Sequence, residues 1–169
     1  MSLNFRFNYD ALLFLGRSGA GKTTLVKKIL SNVPRSRLYV IDSNYEFHGS
    51  NITRPTAYTS EWLDDYIKKF RAVHSNCLLY IEDIDLFQPL RSIELKRLAI
   101  NGRHQNIGLI LVSRRPKELP KVVISKCRYC FIFAGLVPED KEYLESINGN
   151  LTDSQFPTED FKYVVIPFN

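Results

Sequence analysis

The octapeptide Gly16-Arg17-Ser18-Gly19-Ala20-Gly21-Lys22-Thr23 constrains this chain more than any other stretch. It matches G-x-x-x-x-G-K-[ST] in full and stands between an apolar run, Leu12 to Leu15, and a helix-forming segment, Lys22 to Leu30. Glycines at these places let backbone N–H groups turn inward against phosphate oxygens. The following helix adds unpaired N–H groups and the positive end of its dipole. Lys22 is placed to reach the β- and γ-phosphates, the Thr23 hydroxyl to ligate Mg²⁺, and Thr24 follows in the first turn. The loop and its strand–helix context imply a nucleoside triphosphate held by residues 16 to 24.

Apolar runs alternate with amphipathic stretches along the rest of the chain. That pattern predicts an α/β three-layer sandwich around a mostly parallel sheet. Expected strands are Ala11–Leu15, Arg37–Ile41, Leu78–Ile81, Ile107–Val112, Arg128–Phe133 and Lys162–Ile166. Several read as unbroken Val/Ile/Leu/Phe runs, as strands covered on both faces do. Expected helices are Lys22–Leu30, Glu61–Val73, Arg91–Asn101 and one beginning near Pro138. In the second, Trp62, Tyr66, Phe70 and Val73 recur at helical spacing and define the face expected to be buried, Trp62 with it. No repeat or linker divides the 169 residues, so one domain over 1–169 is expected.

The three cysteines make no disulfide framework, and Cys127 and Cys130 read as residues of a buried strand rather than half a zinc site. No apolar run reaches the length of a membrane span, and Met1 to Asp10 lacks the pattern of a secretory signal. The expectation is a cytoplasmic protein without membrane insertion. The net charge of +5 permits a polyanionic partner, with basic clusters at Lys27–Lys28, Lys68–Arg71 and Arg114–Lys117.

A phosphate loop needs an acidic partner on a neighbouring strand to hold the metal and orient water. Leu78-Leu79-Tyr80-Ile81 runs into Glu82 and Asp83, two carboxylates at a strand's carboxyl end. Either acid can take the metal, and Asp85 is a third candidate. Asp42, ending another expected strand, and Glu46 are candidates for the same crevice.

The stretch Gly102-Arg103-His104 to Ser113-Arg114-Arg115-Pro116 resembles the fourth-strand segment of the FtsK–HerA superfamily of DNA-pumping ATPases. Val40 to Glu46, Leu79 to Asp83, and Arg128 to Phe133 with the acidic helix after it are similar to that family's other strands in order and spacing. The resemblance implies a RecA-like sheet with an additional strand and ATP hydrolysis with Mg²⁺ held by Thr23 and Glu82. It also implies a homo-oligomeric ring, a hexamer, threaded by double-stranded DNA without sequence preference. It points to the compact genome-packaging ATPases of viruses. Lys22, Glu82, Asp83 and Arg114 would serve catalysis, and Arg103 would act in trans, with Arg114 and Arg115 as alternatives. Two departures stand out: Arg114 replaces the expected Gln, and the acidic pair runs Glu–Asp rather than Asp–Glu. A small-molecule kinase and a nucleotide-gated scaffold remain as other readings of the phosphate loop.

Overall fold

The computed structural model describes residues 5–168, so the first residues of the Met1–Asp10 reading and the ends of the 1–169 range lie outside it. Seven strands form one sheet: β1 (Ala11–Leu15), β2 (Leu38–Ile41), β3 (Ile52–Thr53), β4 (Cys77–Ile81), β5 (Ile107–Ser113), β6 (Tyr129–Phe133) and β7 (Tyr163–Pro167). Their order is β3-β2-β4-β5-β1-β6-β7. All neighbours are parallel except β7, which runs antiparallel to β6 with Tyr163 opposite Phe133. β5 lies between β1 and β4, which is the additional strand the resemblance implied.

The helices are α1 (Lys22–Leu30), α2 (Ser60–Val73), α3 (Ile93–Asn101), α4 (Lys121–Lys126) and α5 (Pro138–Glu145). Side chains alternate across each strand, so each strand feeds two cores. Leu13, Leu15, Leu79, Ile81, Leu109 and Leu111 pack with residues of α2, α3 and α4. Leu12, Phe14, Leu78, Tyr80, Ile110 and Val112 pack with α1 through Val26 and Leu30. Every residue of β4 and β5 is buried, which explains their unbroken apolar sequences. Each such Leu or Ile contributes about 2 kcal/mol by leaving water.

The buried face of α2 is a correction to the sequence expectation. Leu63, Ile67 and Phe70 form it, whereas Trp62 and Tyr66 are half-buried and Val73 is 75% exposed. Trp62 stacks on Tyr66 and Phe87 at the margin of the core, one position around from the innermost row. The Thr59 side chain caps this helix by accepting from the Trp62 N–H, satisfying one of its first-turn donors. Arg37 closes a 3₁₀ turn rather than opening β2, and α3 starts at Ile93, capped by Ser92, two residues later than expected. β3 and α4 are elements the sequence reading did not contain.

Candidate nucleotide site

The parallel strands point their carboxyl ends toward one edge of the sheet, and the loops leaving β1, β2, β4 and β5 meet there. Gly21 ends the phosphate loop at φ 99°, a left-handed conformation open to glycine at little cost. A Cβ at Gly21 would also stand 2.8 Å from the Phe161 ring. No side chain caps α1 and no acid lies in its first turn, so its leading N–H groups are open to an anionic ligand. Lys27 and Lys28 in its last turn complement the other pole.

Lys22 is nearly buried and its ammonium donates to the carbonyls of Gly16 and Arg17, both at 2.8 Å. Burial pushes its pKa down, opposed by the carboxylates of Asp83 and Asp85. The Thr23 hydroxyl donates to Glu82 Oε1 at 3.1 Å. Glu82 is fully buried, and its other oxygen, Oε2, makes no hydrogen bond of normal geometry; its neighbour is the Tyr80 hydroxyl, likewise unpaired. Desolvation, reinforced by the nearby Glu46 carboxylate, raises its pKa to about 7. A buried carboxylate oxygen without a partner, beside a hydroxyl of the phosphate loop, fits a hard cation that takes its remaining ligands from phosphate and water.

Asp83 adopts a left-handed backbone at φ 45°, and Asn44 Nδ2 donates to its Oδ2 at 3.0 Å. Asp85 is committed elsewhere: it accepts from the Arg114 N–H at 3.0 Å and from Arg114 Nε at 3.1 Å. That pair holds Arg114 at the end of β5, where it lines a cavity of about 300 Å³ with Lys22, Thr23, Thr24, Asp83 and Phe161. Ser18, Gly19 and Gly21 line it too, as does Glu46, whose carboxylate pairs with Lys27 at 2.6 Å.

The other expected residues fall outside this cavity's wall. Asp42 is fully buried and accepts from the N–H groups of Glu46 and Phe47, so it shapes the loop after β2. Arg115 is turned to α5, with Nε 2.9 Å from Asp140 Oδ2. Arg103 lies in a 3₁₀ turn before β5, at the opposite end of the strands. Cys127 and Cys130 are fully buried, and burial pushes the Cys127 thiol up to about 12.

The sequence offers Phe161 and Tyr163 as candidates to border the base pocket, whereas the Arg17–Asp160 pairing is not legible in it. Arg17 makes a two-point ion pair with Asp160, its Nη2 at 2.7 Å and its Nε at 3.2 Å from the carboxylate. The Phe161 N–H donates to the Ala20 carbonyl at 3.1 Å. The segment ahead of β7 is thereby fastened onto the phosphate loop, with the Phe161 ring 69% exposed above it. Tyr163 turns away from the loop and packs on Phe131 and Phe133 within the sheet.

Comparison with known proteins bears on the fold and the family. The fold matches the genome packaging NTPase B204 from Sulfolobus turreted icosahedral virus 2, in complex with ATP-gammaS, with a TM-score of 0.74 and 13% identity, over 96% of this chain and 94% of that one. In sequence, a probable DNA double-strand break repair helicase HerA of Methanocaldococcus jannaschii is 32% identical over 87 residues, 48% of this chain and 17% of that protein. The HerA of Sulfolobus acidocaldarius is 37% identical over 57 residues, 34% of this chain and 12% of that protein. The chain thus spans less than a fifth of the length of these curated relatives. The family model for the ATPase family associated with various cellular activities (AAA) matches residues 12–134. That match runs from β1 to Ala134, whose carbonyl accepts the Arg17 N–H of the phosphate loop, and the chain belongs to the AAA family of ATPases.

Proposed function

We propose that this ATPase is a DNA translocase of the genome-packaging kind, acting as a homo-oligomeric ring on double-stranded DNA without regard to sequence and working in the cytoplasm. The observation that carries this reading is the strand inserted between β1 and β4, which ends in Ser113 and Arg114 and lodges Arg114 against the phosphate cavity. The similarity to HerA helicases and the fold shared with a packaging NTPase support it. Among the described residues no helix is long and apolar enough to cross a membrane.

In this proposal Lys22 leaves the carbonyls of Gly16 and Arg17 for the β- and γ-phosphate oxygens. Thr23 and Glu82 would hold Mg²⁺, which would neutralise charge on the phosphates. Asp83, steadied by Asn44, orients the attacking water. Arg114 meets the γ-phosphate and stabilises the charge that develops on it. Phe161 offers a flat face to the base, and stacking there distinguishes bases only weakly.

The test is ATP hydrolysis with and without double-stranded DNA over a range of salt, together with the mass in solution. The reading expects a multimer whose turnover rises with DNA and disappears in Lys22→Ala. Phosphate transfer to a nucleoside or small alcohol would replace it with a kinase, and tight ATP binding without turnover would replace it with a scaffold.

A further inference from the structure

At its carboxyl end β4 sends two polar side chains toward α1. Tyr80 and Glu82 are two residues apart, and the Glu82 N–H prolongs the ladder by donating to the Ile41 carbonyl at 3.1 Å, so both point to one face of the sheet. Tyr80 packs there with Leu12, Phe14 and Val26, and Glu82 meets Thr23 of α1. Among the described residues Tyr80 is the largest side chain that is fully buried. Phe14 and Phe131 fill the same core without a polar atom, so packing alone does not call for a hydroxyl.

Among the described residues two buried side-chain polar atoms lack a hydrogen bond, and they are the Tyr80 hydroxyl and Glu82 Oε2. A phenol buried unpaired costs stability that phenylalanine at the same place would not. The loop after β2 shuts the pair off from water. Phe47 sets its ring edge-on to Tyr80, with 5.4 Å between centroids, and Lys27 lies 5.2 Å from the Phe47 ring while it pairs with Glu46. Asp42 fixes that loop through the N–H groups of Glu46 and Phe47, and Ser43 Oγ donates to the Glu82 carbonyl at 3.3 Å. Burial, and after it the Glu82 charge, pushes the Tyr80 phenol's pKa up, so the group stays a donor.

We propose that Tyr80 is a positioning residue for the ATPase reaction: its hydroxyl donates to Glu82 Oε2 and leaves Oε1, beside Thr23, as the edge that meets the cation. This role rests on the proposed holding of Mg²⁺ by Thr23 and Glu82. A carboxylate pinned through one oxygen presents the other in a single orientation, as groups bonded to metal ligands commonly ensure. The cation-free fold keeps phenol and carboxylate ready but unjoined, and the cost of the unpaired hydroxyl disappears when the bond forms.

The experiment follows binding of a fluorescent, non-hydrolysable ATP analogue in EDTA and at graded Mg²⁺, together with thermal unfolding of the nucleotide-free protein. Tyr80→Phe deletes the hydroxyl and keeps the ring. The Mg²⁺ concentration that gives half of the full affinity gain is expected to rise about fivefold, the scale of one hydrogen bond, while affinity in EDTA stays within about twofold. The melting temperature should not fall, because the lost hydroxyl had no partner. Glu82→Gln is the reference and should abolish the Mg²⁺ response. A lower melting temperature with an unmoved Mg²⁺ midpoint would make the hydroxyl a structural group and overturn the inference. An unmoved midpoint at an unchanged melting temperature would overturn it too, as would a shift accompanied by weaker binding in EDTA, which is damage to the pocket as a whole. Should Glu82→Gln respond to Mg²⁺ like the unaltered protein, the metal reading fails and Tyr80 loses its role with it. Should Glu82→Gln lose the response while Tyr80→Phe keeps it unchanged, the metal reading stands and only the positioning role falls.

Discussion

Two buried carboxylates, one at each end of the sheet, have opposite surroundings. Asp10, where β1 begins, has both oxygens occupied by Arg128 and one also by a backbone N–H. Glu82, where β4 ends, has one oxygen on Thr23 and the other without a well-formed hydrogen bond, next to the unpaired Tyr80 hydroxyl. A buried acid with its full set of donors is a structural element, because removing it strands the donors. A buried acid lacking half its set keeps its proton near neutrality and gains by meeting a cation. The same chemistry thus separates the frame of the molecule from its working edge.

Substitution breaks or sharpens this contrast. The largest effect belongs to Glu82→Gln: hydrolysis falls at least about 100-fold, in the range seen when one transition-state group is removed, while nucleotide binding persists. A coupled ATPase assay and a fluorescent-nucleotide titration check it, and normal turnover would move the metal's acid to Asp83. Next comes Asp10→Ala, which leaves Arg128 without its partner and costs about 2 kcal/mol. For a chain of this length that lowers the melting temperature by roughly 6 °C in a thermal scan. An unchanged melting temperature would erase the contrast between the two acids.

Phe161→Ala comes third, lowering nucleotide affinity about fivefold through the lost stack, with turnover at saturation retained. Isothermal titration reads this directly, and no change would place the base elsewhere. The remaining test is the pH dependence of the nucleotide-free fold. The Glu82 carboxyl titrates at about 7 when folded, against an ordinary value of 4.5. Between those values the folded state binds more protons than the unfolded chain, so stability falls as pH rises through that window and levels off above it. Thermal scans of Glu82→Gln should lack this slope, and an equal slope in both proteins would assign it to another group.

The cradle was legible in sequence because its parts are local. Eight consecutive residues make the loop, and β4 delivers Glu82 and Asp83 at the end of an apolar run. What escaped depends on distance or brevity. β3 is two residues long and exists through its register with Val40 and Ile41, leaving no alternation to detect. α4 is six residues containing Val122, Val123 and Ile124, a β-branched run that sequence alone favours as extended. The Arg17–Asp160 pair joins residues far apart in the chain. A cavity at the other end of the sheet draws Arg6, Arg103 and Arg128 from three segments, while the contiguous basic clusters that looked promising are mostly paired internally. The reach of α2 was misjudged because spacing locates an apolar stripe but not its deepest row; Leu63 and Ile67 sit between the aromatic positions.

Strand polarity decides where a chain's final turn can be spent. Had β7 followed the direction of its six companions, the segment leading into it would have arrived beneath the sheet, among the arginines. Because it reverses, Asp160 and Phe161 are delivered above, onto the glycine loop that follows β1. A single inverted strand at the margin therefore furnishes the roof of a pocket whose floor lies 143 residues earlier in the chain.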